Sequence, residues 1–369
     1  MSQRTELVSL ARGQGISVTE LSRRFGVSRK TVYKWTERQA AGEPLEDRSR
    51  RPERSPLKTT LSIEEAVVEL RRDHPCWGGR KLAKVLSNQG HADVPAPSTI
   101  TDILRRHGLL APPTTRSQQR WQRFEHPSPN DLWQMDFKGP IDVGRGRCDP
   151  LTVLDDHSRY NLVLLATTDQ RGATVKTALT DTFRRFGLPL RMNMDNGNPW
   201  GIPSGRSRGL STFAIWLVRV GIRLSWSAPA HPQTNGKEKR FHRSFKAEVV
   251  RGRAFADIDQ AQQSFDRWRA IYNDVRPHEA IGMAVPADRY RPSPRSFPEA
   301  LPAIEYAPQD IPMNVDQRGR IKLLRRPFVV SKALGGHIIA ARPRDAEDGV
   351  YDLYFSHQHI GEIDLNEAS

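Results

Sequence analysis

Three carboxylate-bearing stretches lie far apart in this chain: Asp136 in Leu-Trp-Gln-Met-Asp-Phe, Asp195 in Asn-Met-Asp-Asn-Gly, and Glu238 in the helix start His231-Pro-Gln-Thr-Asn-Gly-Lys-Glu-Lys-Arg-Phe-His242. Carboxylates drawn from separate segments are what a two-metal phosphoryl-transfer site needs. They supply hard oxygen ligands to two ions, Mg²⁺ or Mn²⁺, held about 3.5–4 Å apart on either side of an in-line displacement. Ahead of the helix, His231, Gln233, Asn235 and Lys237 form a polar loop suited to phosphate and base-edge contacts, and Arg240 and Arg243 continue it as a basic face. Phe241, Phe245 and Val249 define the apolar face of that helix, and Glu238, three residues before Phe241, falls on it. A carboxylate there is either a metal ligand at the edge of the core or an N-terminal helix residue favoured by the dipole.

The elements that must position these groups begin near residue 131. Residues 151–154 and 162–165 are short apolar runs around the polar turn Asp155-Asp-His-Ser-Arg159, as in neighbouring antiparallel strands, with Asp155 and Asp156 structural. Residues 174–186 read as helix, 190–194 as a buried strand leading to Asp195, 212–220 as helix, 223–226 as extended chain and 236–250 as helix. Strands followed by alternating helices imply an α/β core over 127–290. Residues 200–210 look like a Gly/Ser/Arg loop that could lie over DNA.

Upstream, residues 1–42 have helix-turn-helix grammar. Val18, Leu21 and Phe25 share one face, Gly26-Val-Ser28 makes a tight turn with an N-cap serine, and the next helix points Arg29, Lys30, Tyr33 and Lys34 outward, toward a major groove. A basic linker over 43–60 leads to a second helix-turn-helix module over 61–110, which ends with Arg105 and Arg106 opposite its apolar side. Residues 111–126 are another linker. Downstream, the Pro-rich stretch 289–302 reads as a boundary, and alternating runs over 303–369 predict a small β-rich domain. The fold class is therefore multidomain: all-α modules, an α/β core and a β-rich tail.

A net charge of +15 and a pI near 10.2 make a polyanion the leading partner. Residues 1–126 carry 23 Lys and Arg against 14 Asp and Glu, so the amino-terminal third is the more basic part per residue. Cys76 and Cys148 form no metal or redox pattern and read as buried or semi-buried thiols. No apolar run approaches the ~18 residues that span a bilayer, and the first 25 residues lack the apolar core of a signal peptide. The expectation is an intracellular protein with no membrane and no small-molecule substrate.

Trp133-Gln-Met-Asp136-Phe, Leu151-Thr-Val-Leu-Asp-Asp-His-Ser-Arg159, Asp195-Asn-Gly, His231-Pro-Gln-Thr-Asn-Gly236 and Arg276-Pro-His278 together resemble the integrase-core transposases of bacterial insertion sequences, whose superfamily includes retroviral integrases. The resemblance spans nearly the whole chain. It implies a ribonuclease-H-like core, a DDE triad with two Mg²⁺ or Mn²⁺ ions, and DNA strand transfer, with Asp136 and Asp195 matching the first two catalytic acids. The third position departs from the family, which places its glutamate directly before Arg-Phe; here that residue is Lys239, and Glu238 stands beside it. Adjacent helix positions point about 100° apart, so one does not simply replace the other. Glu238 as the third acid, another acid such as Glu248, and a catalytically impaired chain all stay open.

The reading is a transposase that binds double-stranded DNA at terminal inverted repeats, cuts it and joins it to a target, as at least a dimer because two ends must meet. The alternative is a DNA-binding repressor or relic of the element. Both share every DNA-binding feature and differ in metal-dependent strand cleavage.

Overall fold

The computed structural model describes residues 3–13, 15–47, 59–110, 125–144, 146–195, 197, 199–202, 209–226 and 236–366. The chain divides into two compact units, Met1–Lys58 and Thr59–Ser369.

The first unit is three helices, α1 (Gln3–Arg12), α2 (Val18–Phe25) and α3 (Arg29–Ala40). Ser17 caps α2 by accepting from Glu20 N, Gly26 takes the left-handed conformation at φ 63°, and Ser28 caps α3 by accepting from Thr31 N. Left-handed backbone after a helix favours glycine, and this one sets the turn between the two helices. Leu7, Val8, Leu21, Val32 and Trp35 fill the centre.

The second unit opens with α4 (Leu61–Asp73), α5 (Gly79–Asn88) and α6 (Pro97–Arg106) around Val67, Trp77, Leu82, Ile100 and Leu104. A Cβ at Gly79 would stand 2.4 Å from Pro97 O, so α5 meets α6 at a contact only glycine permits. This module is docked on the rest of the unit: Ile271 joins its apolar cluster, Arg80 pairs with Glu279 at 3.5 Å, and Cys76 Sγ lies 3.6 Å from Ala247 O. Cys76 is exposed, contrary to expectation, because it sits at the rim of that junction; Cys148 is buried.

The core contains β1 (Leu132–Phe137), β2 (Ile141–Val143), β3 (Gly146–Asp155), β4 (Asn161–Thr167), α7 (Gly172–Phe186), β5 (Arg191–Met194), β6 (Gly201–Ile202), β7 (Gly209–Leu210), α8 (Thr212–Arg219), β8 (Arg223–Trp226), α9 (Gly236–Phe245), α10 (Ile258–Ala270) and α11 (Pro286–Arg289). Among the described residues β6 and β7 pair only with each other. The main sheet runs β4-β3-β1-β5-β8, with β2 extending β3. Its first three strands are antiparallel and β1, β5 and β8 are parallel, the ribonuclease-H-like arrangement. Alternation assigns the two faces. Val153 and Val163 pack toward α7 and α8, while Leu154 and Leu164 pack toward Phe241, Phe245, Phe265 and Trp268 of α9 and α10.

The tail holds β9 (Ile311–Asn314), β10 (Arg320–Leu323), β11 (Arg326–Val329), β12 (Ile338–Pro343), β13 (Val350–Phe355) and β14 (Gln358–Asp364). These form a sheet ordered β14-β13-β12-β9 and a separate β10–β11 hairpin. β9 was not anticipated: its Pro312 breaks the apolar alternation. Ile339, Ala341, Leu353 and Phe355 share one apolar cluster with the core. The Pro-rich stretch before the tail is bonded to the core through Ser293 N to Phe186 O at 2.8 Å and Leu188 N to Arg295 O at 2.7 Å. Among the described residues no helix is long and apolar enough to cross a membrane.

Candidate active site

Asp136 lies on β1 and Asp195 directly follows β5. These neighbouring parallel strands pair Leu132 with Arg191, Trp133 with Met192 and Gln134 with Asn193, and the same register carried two residues further sets Asp136 beside Asp195. Burial, then the charge of Asp195, pushes the Asp136 carboxyl up to about 6. Gly197 N donates to Asp195 Oδ1 at 3.0 Å and holds that carboxylate in an Asx turn.

Across the β1–β3 pair, Asp136 is opposite Thr152. The buried Thr152 Oγ1 lies 2.9 Å from the Asp136 carbonyl oxygen, 3.2 Å from Glu238 Oε2 and 2.9 Å from His242 Nε2. His242 Nδ1 stands 3.9 Å from Asp136 Oδ2, and its Nε2 is 3.6 Å from Glu238 Oε2. Burial and the Lys138 charge pull the His242 imidazole down to about 4, so it is neutral near pH 7. With its proton on Nε2, His242 donates to Thr152 Oγ1, and the single Thr152 proton then serves the Asp136 carbonyl or Glu238.

Helix α9 turns Glu238 inward. It is fully buried with Phe241 and Phe245, as the helical period required, and its Oε1 has no hydrogen-bond partner among the described residues. Burial, then the Asp136 charge, drives its carboxyl well above the ordinary range, opposed by the Thr152 hydrogen bond. Lys239 is exposed on the next face, and its charge acts on Asp136 against the upward shift.

Asp136 and Asp195 fit a divalent cation. They are oxygen donors at adjacent strand ends, and their mutual repulsion is what a bound cation relieves. Among the described residues, however, no three Asp, Glu, His or Cys side chains are gathered closely enough to hold one ion. Glu238 therefore approaches Asp136 from the buried side and does not complete a formed three-carboxylate cradle.

Glu248, the other acid considered for the third position, is corrected to a structural role. Its Oε1 accepts from Arg276 Nε at 3.1 Å and its Oε2 from Trp268 Nε1 at 2.8 Å, so both oxygens are occupied. Asp155 holds the turn after β3 by accepting from Ser158 and Asn130 N, in line with its structural reading. Asp156, equally buried, accepts from Gln134 Nε2 and His126 N.

Lys237, expected among the phosphate contacts, is turned toward the core in this structure. Its half-buried ammonium forms an ion pair with Asp156, because a buried carboxylate at the strand turn needs a counter-charge. Arg29, Lys30, Tyr33 and Lys34 are exposed on α3, as expected, with Lys34 Nζ 5.2 Å from the Trp35 ring centre. Arg105 and Arg106 are exposed, but Arg105 pairs with Asp102, and Arg106 pairs with Glu64 at 3.0 Å. Arg240 and Arg243 are exposed on α9. His231, Gln233 and Asn235 lie outside the described residues, as does most of the loop between β6 and β7. Sequence reasoning missed Thr152 and His242. His242 carried a signal, standing one helical turn after Glu238, whereas Thr152 is set only by strand register.

Family comparisons agree with this geometry. Residues 126–232 and 220–286 each match a model of the integrase core domain, and 310–369 match the IS481 family transposase C-terminal domain. Residues 3–53 match a helix-turn-helix domain, and 31–104 match a homeodomain-like domain. A protein of insertion element IS476 from Xanthomonas euvesicatoria is 27% identical over 63% of this chain, which spans 65% of that relative. A putative transposase of IS5376 from Geobacillus stearothermophilus is 22% identical over 95% of this chain and 84% of its own length. The Pro-Pol polyprotein of simian foamy virus type 3 is 27% identical over 37% of this chain and 11% of that polyprotein. The matched central segments are those of an integrase core domain, the domain of DDE-type transposases and integrases. In these segments the chain is similar to bacterial insertion-sequence transposases, with matches to the integrase core domain and to an IS481 family transposase C-terminal domain.

Proposed function

We propose that this protein is the transposase of an insertion sequence, binding the element's terminal inverted repeats and performing metal-dependent cleavage and strand transfer. The observation that carries the reading is the strand register that sets Asp136 beside Asp195. These two carboxylates would hold divalent cation, and Glu238, whose Oε1 has no hydrogen-bond partner among the described residues, would serve as the third acid once its side chain turned out from the buried face. When bound, Mg²⁺ or Mn²⁺, two ions by family likeness, stabilises charge on the phosphoryl oxygens and lowers the pKa of the attacking water. In cleavage the water oxygen bonds to phosphorus, the bond to the 3′-oxygen breaks, and the water proton passes to solvent while the leaving 3′-oxygen takes one up. In joining, that 3′-hydroxyl attacks a target phosphodiester and displaces the target's own 3′-oxygen. Lys237 anchors the start of α9 on Asp156, and Thr152 and His242 hold the Glu238 carboxyl under β1. Joining two ends requires at least two copies of the chain, working on DNA in the bacterial cytoplasm.

A second reading is favoured by one observation: Glu238 is closed to solvent while exposed Lys239 puts a cation near Asp136. On that reading the chain occupies the repeats without cutting them. The deciding experiment measures cleavage and joining of a labelled element end with Mg²⁺ or Mn²⁺. The first reading expects activity that Asp136→Asn, Asp195→Asn and Glu238→Gln each abolish. The second expects an inactive native chain that binds the ends normally and gains activity by orders of magnitude with Lys239→Glu. Robust activity insensitive to both Asp195→Asn and Glu238→Gln would refute the three-carboxylate site.

A further inference from the structure

The β10–β11 hairpin is built against local preference. Leu323 and Arg326 close it, leaving Leu324 and Arg325 as a two-residue turn with φ of 47° and 69°. Two left-handed residues define a turn that favours Asn-Gly or Asp-Gly, and a leucine there is uncommon. The leucine is not used for packing: its side chain is 60% exposed. Beneath it the hairpin is firmly rooted, since Ile321 and Leu323 are buried in the main core and Arg326 Nη1 donates to Leu365 O at 2.8 Å.

The hairpin itself carries Arg320, Lys322, Arg325 and Arg326 and no acid, whereas Arg342 and Arg344 further along the chain are neutralised by Asp310 and by Glu347, Asp352 and Glu362. Lys322 faces outward opposite Pro327, and Arg320 opposite Val329, which is 76% exposed. Arg320 is paired with Asp316, whereas Lys322 and Arg325 have no ion-pair partner among the described residues. An apolar tip with Lys322 and Arg325 beside it does not suit a second copy of this chain, which would bring the same charges face to face. It suits a polyanion with an apolar interior open at one edge, which is duplex DNA.

We propose that this hairpin is a DNA-bending wedge, with Lys322 and Arg325 on the phosphates flanking a groove and Leu324 entering a base step. Apolar residues inserted in this way partly unstack a step and kink the duplex by roughly 20–90°. The inference rests on the DNA-processing reading above but needs no cleavage.

The test uses the full chain in EDTA with a short duplex labelled at both ends for energy transfer, over a salt series. Leu324→Asn keeps every cation and suits the left-handed turn better, so the hairpin still forms. It is expected to abolish the native bend and weaken binding by roughly tenfold, with an unchanged salt slope. Lys322→Gln with Arg325→Gln is expected to flatten the slope of log K against log salt by about 1.8. A native chain that leaves the duplex straight overturns the wedge, as does Leu324→Asn bending it as the native chain does. So does a Leu324→Asn change confined to sedimentation of the DNA-free chain, which would make the tip a self-association contact. Because no metal is present, a chain that never cuts still passes, so failure of cleavage and failure of the wedge are read separately.

Discussion

On helix α9, one step of about 100° separates a carboxylate inside the protein from an ammonium outside it. Glu238 shares the buried face with Phe241 and Phe245, while Lys239 looks out past Asp136. The site thus has an acid within reach of Asp136 through Thr152 and His242, and a competing charge on the open side. A second buried histidine has a consequence that can be measured. His278 packs edge-on against Tyr272 at 4.6 Å, and its Nε2 has no hydrogen-bond partner among the described residues. Burial first, then the charges of Arg276 and Lys81, pulls its imidazole down to about 2. The folded value lies below the ordinary 6.5, so the unfolded chain binds the extra proton. Stability from this group is fully present above pH 6.5 and is lost as pH falls toward the folded value, by about 1.4 kcal/mol per pH unit. His278→Asn should therefore flatten the fall in unfolding free energy between about pH 6 and pH 4, measured by urea titration at each pH. An unchanged slope would mean that His278 already takes up its proton in the folded chain.

At the scale of elements, α9 runs into a π-helical turn at Lys246–Val250, and α10 ends in another at Ile271–Val275. Such turns insert a residue and re-phase the helix, and they recur at functional sites. Here the two are clamped together. Arg276 donates to Glu248 and to Ser244 Oγ, and Trp268 donates to Glu248. Both members of the pair are buried, with side-chain exposures of 9% and 12%. Removing one partner strands the other charge. Arg276→Met is accordingly expected to cost about 3–5 kcal/mol, read as a lower urea midpoint, and adding Glu248→Gln should restore most of it. Additive losses in the double variant would show that the two groups are not coupled. The Arg-Pro-His motif thus acts by holding the helix that carries Glu238.

For the whole molecule, the two helical modules differ in what they offer to DNA. α3 presents Arg29, Lys30 and Tyr33 on an exposed face, whereas Arg105 and Arg106 of α6 pair with Asp102 and Glu64 in a module packed against the core. Sequence discrimination is therefore expected to reside in α3. Arg29→Ala or Tyr33→Ala should weaken binding to the element ends by about 1–3 kcal/mol and leave random duplex almost unaffected. Arg243→Gln should weaken both alike and reduce the salt slope by about 0.9. Fluorescence anisotropy on the two duplexes separates these outcomes, and equal losses for α3 variants on both would remove it as the reader.

What could be read from the linear chain is what depends on local spacing. The caps and glycine of the α2–α3 turn, the strand pair around Asp155 and the apolar face of α9 all follow from neighbours a few residues apart. The long separation between Asp136 and Asp195 was legible only as a pattern; their adjacency was decided by the parallel pairing of β1 with β5, a contact no local rule contains. The same holds for Lys237. Its spacing suggested an outward phosphate contact, but a buried Asp156 from a distant turn captured it, because an unpaired charge inside a protein costs more than an exposed one gains. Likewise Thr152 carries no signal in an apolar strand, and tertiary register alone sets its hydroxyl between Asp136, Glu238 and His242. Local sequence determined which side chains share a face; only packing between distant segments decided which charges meet and which are left open to solvent.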